Sequence, residues 1–341
     1  MLAGGIGSRF WPASTPRRPK QLLALGGEAP LIRETVDRAL SLVPPERVRI
    51  LAGAHLIDLF HPVLPELSEE AYLEEPVARG TCPVLAWAAA ELVRRDPDAV
   101  MVSLHADHLI HPLEAFRDTV RAAVAVAREK DALLTIGVPP SRVETGYGHI
   151  QPGTPLAVPG APGAVEVAAF HEKPDPDIAR RYTEEGYLWN SGIFVWKAAV
   201  FLDEVRRHAP EVGGLLPVLE EEGAEAFFGR TPVCVVDTAV LERSERVACV
   251  PATFSWDDVG SWASLPRVRS RDEEGNVVEG DAMVEDARDN IVWAEDGKVV
   301  LWGVSDLVVV RTGEATLVMP RERAAHLKRL LARVAGAEKE A

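Results

Sequence analysis

The chain has 341 residues, 47% of them hydrophobic and 26% charged, a balance typical of a globular protein with one large domain and a smaller one. Its net charge of −15 disfavours nucleic acid and anionic membranes as partners, and its cysteines, Cys82, Cys234 and Cys249, are too few for a disulfide framework or a Cys-based zinc site. Without a signal peptide or an apolar run of about 18 residues, we expect a cytoplasmic protein with the cysteines in its core.

Strand-like and helical patterns alternate over roughly the first 140 residues. Strands are predicted at 48–52, 99–104 and 132–138, and helices at 31–42, 83–94 and 113–130. The alternation is typical of βαβ units, so we predict an α/β fold of the Rossmann-like type, with a mostly parallel sheet flanked by helices. Ligands of such folds bind at the carboxyl ends of the strands.

The pattern changes twice further along the chain. We interpret 141–265 as an insertion that completes the site of a catalytic domain spanning 1–265, with a strand at 165–170 and a helix after Pro176. The remainder, 266–341, has short strand-like pieces and a helix from 321 to about 334, which predicts a small β-rich domain that resembles a β-helix. We find no convincing internal repeat there.

The N-terminal segment combines a glycine loop with positive charge. Gly4, Gly5, Gly7 and Ser8 form a loop whose backbone N–H groups can approach an anion, although a tight turn would have the same sequence. The spacing fits neither a dinucleotide fingerprint nor a Walker A loop. A phosphate site in so acidic a chain must be locally basic, and the next residues supply four cations: Arg9, Arg17, Arg18 and Lys20.

This segment, with Ala-Gly-Gly at 3–5, Arg9, Pro12 and Pro-Lys at 19–20, resembles the signature of the sugar-nucleotide pyrophosphorylases. The resemblance implies a nucleotidyltransferase in which Arg9 and Lys20 hold the triphosphate and balance the charge of departing pyrophosphate. Three residues precede the loop, fewer than in a typical strand. Either the first strand is short or the start of the chain lies a few codons late.

Two aspartates stand in segments that resemble the metal motifs of this family. Asp107 follows a predicted strand in His-Ala-Asp-His at 105–108, and Asp258 lies in Trp-Asp-Asp-Val-Gly-Ser-Trp at 256–262. An isolated aspartate is more often a cap or turn residue, so the assignment depends on the flanking motifs. Mg²⁺ is usually held by one or two carboxylates, which makes it the expected cofactor. His105 and His108 have poor spacing for zinc, and we expect them either to support the metal-binding residue or to have structural roles.

Further segments resemble the sugar pocket of the family. They are Thr-Gly-Tyr-Gly with Gly146 and Tyr147, Glu-Lys-Pro with Glu172 and Lys173, and Trp-Asn-Ser-Gly with Asn190. The resemblance implies that Lys173 meets the sugar phosphate while Glu172 and Asn190 bind hydroxyls, although an adjacent Glu and Lys can also be a plain surface ion pair. The last segment is similar to that of the mannose 1-phosphate guanylyltransferases in particular.

The base is expected at Glu75, Pro76, Gly80 and Thr81, where Gly80 replaces an asparagine common in guanylyl-specific members. Asp237, in Asp-x-Ala-x-x-Glu at 237–242, is a secondary site residue by the same resemblance. Bifunctional members continue into an isomerase domain, for which we expect this chain to be too short.

The resemblance implies synthesis of GDP-mannose and pyrophosphate from GTP and mannose 1-phosphate, by direct in-line attack on the α-phosphorus. We expect no nucleic acid or membrane partner, and a homodimer formed through the C-terminal domain is a reasonable prediction. Two alternatives stay open: the same chemistry with another nucleotide and sugar phosphate, or a non-catalytic regulatory subunit that binds a nucleotide-sugar. An NAD-dependent oxidoreductase is a distant third because the fingerprint spacing fails.

Overall fold

A computed structural model describes residues 1–5 and 7–340, with side chains up to Arg333. The strands of the larger region are β1 (Ile50–Ala52), β2 (Tyr72–Glu74), β3 (Val100–Ser103), β4 (Leu109–His111), β5 (Leu133–Val138), β6 (His149–Pro155), β7 (Val165–His171), β8 (Leu188–Lys197), β9 (Val247–Pro251) and β10 (Ser255–Asp257). Its helices are α1 (Leu31–Leu40), α2 (Ala54–Phe60), α3 (Thr81–Arg95), α4 (Leu113–Lys130), α5 (Pro176–Glu184), α6 (Ala198–His208), α7 (Pro210–Gly213), α8 (Leu216–Glu222), α9 (Ala224–Arg230) and α10 (Leu265–Val268).

The predicted helices of the first half form because their apolar residues recur at helical spacing. In α4, for example, Phe116, Val120, Ala123 and Ala127 are buried while the opposite face carries charges. Strand β5 is buried at every position, as expected for a strand with helices on both faces of its sheet. The predicted α/β fold is confirmed.

Most strands of the sheet run in one direction. β1 and β2 pair in parallel, and Leu2 bridges in parallel both to Leu51 and to His105, just beyond β3. β5 and β9 are also parallel. The carboxyl ends of these strands therefore meet at one edge, where the predicted glycine loop and Asp107 also lie.

Two strands of the six-stranded sheet run in the opposite direction: β8 is antiparallel to β3 and β5, and β7 is antiparallel to β6 and β9. β8 returns from the segment interpreted as an insertion, and β6, β7 and β9 of that segment join the same sheet, in the order β3-β8-β5-β9-β7-β6. The insertion is thus continuous with the central sheet. It also brings residues 146–148 and 190 beside the carboxyl edge.

The C-terminal region consists of β11 (Val277–Glu285), β12 (Ile291–Trp302), β13 (Leu307–Arg311) and β14 (Thr316–Pro320), followed by a 3₁₀ turn over Arg321–His326 and α11 (Leu327–Glu340). β11, β12 and β13 are parallel, and β14 closes the sheet in the antiparallel direction. Parallel strands joined by short turns form the coils of a β-helix, so the predicted β-rich domain is confirmed.

An asparagine ladder fixes the coils of this domain. The side-chain amide of Asn276 donates to the Ala287 carbonyl, and its oxygen accepts from both the backbone and the side chain of Asn290 at 2.9 and 3.0 Å. The residues just before the ladder positions, Gly275, Asp289 and Gly303, all have positive φ. This spacing of 14 residues is a repeat that is not evident in the sequence, because the equivalent third position is Val304 instead of asparagine.

The C-terminal domain packs against the N-terminal loop. Phe10 and Trp262 of the larger region share a buried cluster with Ile291 and Val308, and the Arg18 guanidinium lies 2.6 Å from the Glu295 carboxylate. The three cysteines are buried and free, as predicted. Among the helices of the described residues, none has both the length and the apolar character needed to cross a bilayer.

Candidate active site

The glycine loop is held from behind by one side chain. The amide nitrogen of Gln21 lies 3.0 Å from each of the carbonyl oxygens of Ala3, Gly4 and Gly5. Space in front of the loop is open, since no described atom lies within 4 Å of a Cβ placed on Gly4 or Gly5. Gln21 was not among the site residues predicted from the sequence, although it directly follows the Pro-Lys pair of the motif.

A cleft of ≈ 190 Å³ opens in front of this loop. It is lined by Gly4, Gly5, Gly7, Arg9, Phe10, Lys20, Gln21, Asp107 and Gly260. Gly7 has a φ of 73°, and a Cβ there would lie 2.2 Å from the Lys20 Cβ, so glycine is required for the loop to pack on the lysine. The structure therefore places the predicted loop, Arg9, Lys20 and Asp107 at one surface.

The Lys20 ammonium joins the two predicted metal residues. Its Nζ lies 2.7 Å from Asp107 Oδ2 and 2.8 Å from the backbone carbonyl of Asp258. Burial alone would raise the pKa of Asp107, but the positive charge of Lys20 and the nearby imidazoles outweigh this and hold that pKa well below its usual range. Residues separated by 151 positions in the sequence thus meet at one charge-balanced point.

The Asp258 carboxylate is oriented by Tyr147. The phenol donates to Asp258 Oδ1 at 2.6 Å, and burial raises the pKa of Asp258. Tyr147 itself accepts from Arg142 at 3.1 Å. We predicted Tyr147 as a sugar-pocket residue, but its hydroxyl contacts a predicted metal residue, and the sequence carried no signal for Arg142.

Asp257, one position earlier, shapes the turn that presents Asp258. Its carboxylate binds the Arg267 guanidinium at 2.5 and 2.9 Å and accepts from the Val259 amide at 2.8 Å. Val259 is fully buried and has a φ of 43°, a region that β-branched residues rarely occupy. The Asp257–Arg267 pair therefore stabilises a strained backbone directly after Asp258.

The two histidines beside Asp107 pack as a stacked pair, with centroids 4.6 Å apart. Potential ligand atoms of His105, Asp107 and His108 lie within 4.8 Å of one another. However, His108 Nδ1 accepts from the Trp256 indole at 3.1 Å, and burial together with His105 holds the pKa of His108 well below its usual range. A neutral ring accepting at Nδ1 carries its proton on Nε2 and has no free lone pair, which supports the structural role expected for His108.

The predicted sugar residues form a second cluster next to the cleft. The Asn190 amide donates to Asp237 Oδ1 at 2.8 Å, and its oxygen accepts from Thr135 at 2.7 Å. Glu172 pairs with Lys173, whose side chain is 59% exposed. A Cβ on Gly148 would lie 2.8 Å from Glu172 Oε2, so the turn at 146–148 links this cluster to Tyr147. The nitrogen and the oxygen of the Asn190 side-chain amide both already form hydrogen bonds within the protein. Asp237 and Glu172 are therefore more available than Asn190 to accept hydrogen bonds from a ligand.

The charged carboxylate of Asp237 destabilises the folded protein. Burial and the neighbouring Glu172 raise the pKa of Asp237 to about 6, above the value of about 4 in an unfolded chain. Between those pH values the folded protein binds more protons than the unfolded chain, so the free energy of unfolding falls as the pH rises from about 4 to about 6. Above about pH 6 the full destabilisation by Asp237 is present.

We therefore expect Asp237→Asn to stabilise the protein by about 3 kcal/mol at pH 8 and to have almost no effect at pH 4. Thermal unfolding at a series of pH values measures this, with Asp58→Asn, an exposed aspartate on α2, as the control. A stability gain that does not change with pH would contradict the assigned charge.

The segment expected to read the base lies at the same edge, after β2. The Glu75 amide donates to the Ala52 carbonyl at 2.8 Å, and Thr81 accepts from the Val236 amide at 3.0 Å. Gly80 has a φ of 88° and ψ of −179°, and a Cβ there would lie 2.4 Å from the Cys234 carbonyl oxygen. The backbone thus explains the glycine: an asparagine would not fit this conformation. Pro76 is exposed.

Two of the four predicted cations lie away from the cleft lining. Arg18 pairs with Glu295 of the C-terminal domain, and Arg17 is exposed. Arg9 lines the cleft and forms no ion pair within the described part of the chain.

Comparison with known proteins agrees with this architecture. Residues 1–275 match the family model described as nucleotidyl transferase, and residues 280–334 match the one described as MannoseP isomerase/GMP-like beta-helix domain. The chain is 37% identical to the mannose-1-phosphate guanylyltransferase ManC of Salmonella typhimurium over 351 residues, which covers 98% of this chain and 72% of that protein. It is 34% identical to the alginate biosynthesis protein AlgA of Pseudomonas putida, over 97% of this chain and 70% of that one.

A solved structure from Thermus thermophilus, described as a mannose-1-phosphate geranyltransferase, has a similar fold over nearly the whole chain. Its TM-score is 0.89 at 32% identity, and the match covers 98% of this chain and 97% of that one.

Proposed function

The chain belongs to the nucleotidyl transferase family, and from this premise we propose that it joins mannose 1-phosphate to GTP, forming GDP-mannose and pyrophosphate. The proposal is carried by one arrangement: the glycine loop, Lys20 and Asp107 line the same cleft, and the Lys20 ammonium also contacts the backbone carbonyl of Asp258. The curated relatives named mannose-1-phosphate guanylyltransferase, which align with 98% of this chain, support the substrate pair.

In the proposed reaction a phosphate oxygen of the sugar phosphate attacks the α-phosphorus of GTP. One P–O bond forms, the bond to the β-phosphate oxygen breaks, and its electron pair leaves with pyrophosphate. Since no side chain needs to act as a nucleophile, the protein contributes positioning and charge stabilisation. Backbone N–H groups of the glycine loop, Arg9 and Lys20 would bind the triphosphate.

The sugar phosphate would occupy the second cluster. Lys173 is an exposed cation on that side of the site, and it would hold the attacking phosphate as a point charge. Glu172 and Asp237 would accept hydrogen bonds from sugar hydroxyls, while Asn190 keeps Asp237 in place through their 2.8 Å contact.

The donor set at the cleft fits Mg²⁺. Asp107 and Asp258 would supply carboxylate oxygens, which hard cations prefer as ligands. The Lys20 ammonium contacts both residues, so a positive charge is already favourable at this point. When bound, Mg²⁺ would neutralise charge on the triphosphate and on the leaving pyrophosphate.

Pyrophosphate release from a panel of nucleoside triphosphates and sugar 1-phosphates tests the proposal. We expect the highest kcat/KM for GTP with mannose 1-phosphate. Turnover with another pair alone would keep the chemistry and change the substrate. No release with any pair would instead favour a regulatory subunit.

We also infer that two copies associate through the C-terminal domain. Met283, Val300 and Trp302 are 53%, 60% and 73% exposed, and Met283 is paired with Val300 across β11 and β12, so they form one apolar patch. We expect Trp302→Glu to shift the protein from dimer to monomer in sedimentation experiments. Lys298→Glu, at an exposed charged position nearby, is the control, and a monomeric wild type would refute the inference.

A further inference from the structure

Arg142 has no role in the proposed chemistry, yet it contacts the residue that orients Asp258. Its guanidinium binds the Glu144 carboxylate at 3.0 and 3.2 Å and the Tyr147 hydroxyl at 3.1 Å. The side chain is 28% exposed. The carboxylate of Glu144 and the phenol thus hold the guanidinium in one orientation.

Aromatic rings fix the same group from the side. The Arg142 guanidinium lies 4.8 Å from the centroid of Trp189 and 5.7 Å from that of Tyr147, within the range of cation–π attraction. Tyr147 in turn packs edge-on against Trp189 and Trp256, at 5.3 and 5.0 Å. Trp189 is buried, so the arrangement rests on the core of the domain.

The direction of the hydrogen bonds follows from the chemistry of the groups. A guanidinium can only donate, so the Tyr147 oxygen accepts from Arg142. The single phenol proton is then directed to Asp258 Oδ1, at 2.6 Å. This bond occupies one oxygen of the Asp258 carboxylate and leaves the other, Oδ2. A Cβ built on Gly260 would lie 3.0 Å from Oδ2, and Gly260 lines the cleft.

We propose that Arg142 is a positioning residue, which acts through Tyr147 to hold the Asp258 carboxylate in the orientation that receives a divalent cation. The inference deepens the proposed function and rests on it for the identity of the cation. It assigns to Tyr147 a task different from sugar binding. It also explains why an arginine occurs in a loop whose family motif begins only at Thr145.

Binding of Mn²⁺ to the nucleotide-free protein, followed by the loss of its free-ion electron paramagnetic resonance signal, tests the proposal without turnover. We expect Arg142→Gln and Tyr147→Phe each to raise the Kd for Mn²⁺ about threefold to tenfold. The Kd of the double variant should not exceed the higher of the two single-variant values. Such non-additivity is expected when two residues act in one chain of contacts.

Arg181→Gln is a matched control. Arg181 also lies over a tyrosine, 5.6 Å from the Tyr182 centroid, and near a glutamate, but it has no described contact with Asp258. Its substitution should leave the Kd for Mn²⁺ unchanged. Additive effects of the two site substitutions, or an unchanged Kd in Arg142→Gln, would overturn the proposal.

Chemical rescue provides a second readout. Arg142 borders a cavity of ≈ 280 Å³, large enough to admit a guanidinium ion. We expect Arg142→Ala to bind Mn²⁺ more tightly when guanidinium is added at concentrations far below those that unfold proteins, and Tyr147→Phe to show no rescue. Equal responses of the two variants would contradict the proposal.

The two proposals fail in different ways. A wild type that binds Mn²⁺ with the expected coupling but releases no pyrophosphate would refute the proposed function and support the positioning role. A wild type that turns over without coupling between Arg142 and Tyr147 would refute the positioning role alone.

Discussion

Replacing Asp107 by asparagine is expected to lower the kcat of pyrophosphate release by about 10²- to 10³-fold, the loss typical of removing one preorganised electrostatic group. Asparagine keeps the shape of the side chain and removes its charge. Asp258→Asn should have an effect of similar size, because the two residues meet at Lys20 and both would hold the cation. Steady-state rates over a range of Mg²⁺ concentrations measure both variants.

The same two substitutions should differ in their effect on stability. Asp107 balances an ammonium whose side chain is only 8% exposed, and among the described residues Lys20 has no second carboxylate within ion-pair distance to replace it. We expect Asp107→Asn to lower the free energy of unfolding by about 1–2 kcal/mol, less than for a fully buried pair because the Asp107 side chain is 29% exposed. Burial raises the pKa of Asp258 and its carboxylate contacts a neutral phenol, so removing its charge in Asp258→Asn should not lower the free energy of unfolding.

Asp118→Asn is the control for both measurements, since that side chain is 74% exposed on α4. Near-wild-type turnover of either site variant at limiting Mg²⁺ would rule that carboxylate out as a ligand. Equal stability losses in the two variants would show that the Lys20–Asp107 pair does not stabilise the free protein.

The elements of the first half were predictable because each depends on local pattern. The helical spacing of α4 and the continuous apolar run of β5 specify both the element and the face that it buries. The position of β8 was not predictable in this way. Its place between β3 and β5 depends on pairings such as Met101 with Trp196 and Leu134 with Val195, and sequence patterns within the strand do not encode its neighbours.

The site shows the same division. Asp107 and Asp258 could be selected as candidates because short motifs surround each of them, and in the structure both contact Lys20. Arg142 could not, because it lies outside the motif and its role depends on a contact with a residue 116 positions away, through Tyr147. The sequence gives no reason why Gly80 departs from the family pattern. The structure does, because the positive φ of Gly80 and the nearby Cys234 carbonyl leave no room for a side chain.

Lys20→Met is expected to have opposite effects on catalysis and on metal binding. With the ammonium removed, the triphosphate loses a cation, and kcat should fall by about 10²- to 10³-fold. In the free protein, however, the Lys20 Nζ lies on Asp107 Oδ2 at 2.7 Å, at the oxygen that a divalent cation would use. Removing this competitor should strengthen binding of Mn²⁺ to the nucleotide-free protein by about tenfold, equivalent to 1.4 kcal/mol.

Measuring the Kd for Mn²⁺ with and without GTP separates the two roles of the lysine. Without GTP, Lys20→Met should bind the cation more tightly than the wild type, and Lys20→Arg, which keeps the charge, should not. With GTP, the advantage should disappear, because the wild-type ammonium can move from Asp107 to the triphosphate while the methionine cannot replace it there. If Lys20→Met binds Mn²⁺ no more tightly without GTP, the lysine does not compete for Asp107. If it does bind more tightly, the Lys20–Asp107 pair disfavours the cation until a nucleotide arrives, and metal and triphosphate should bind cooperatively.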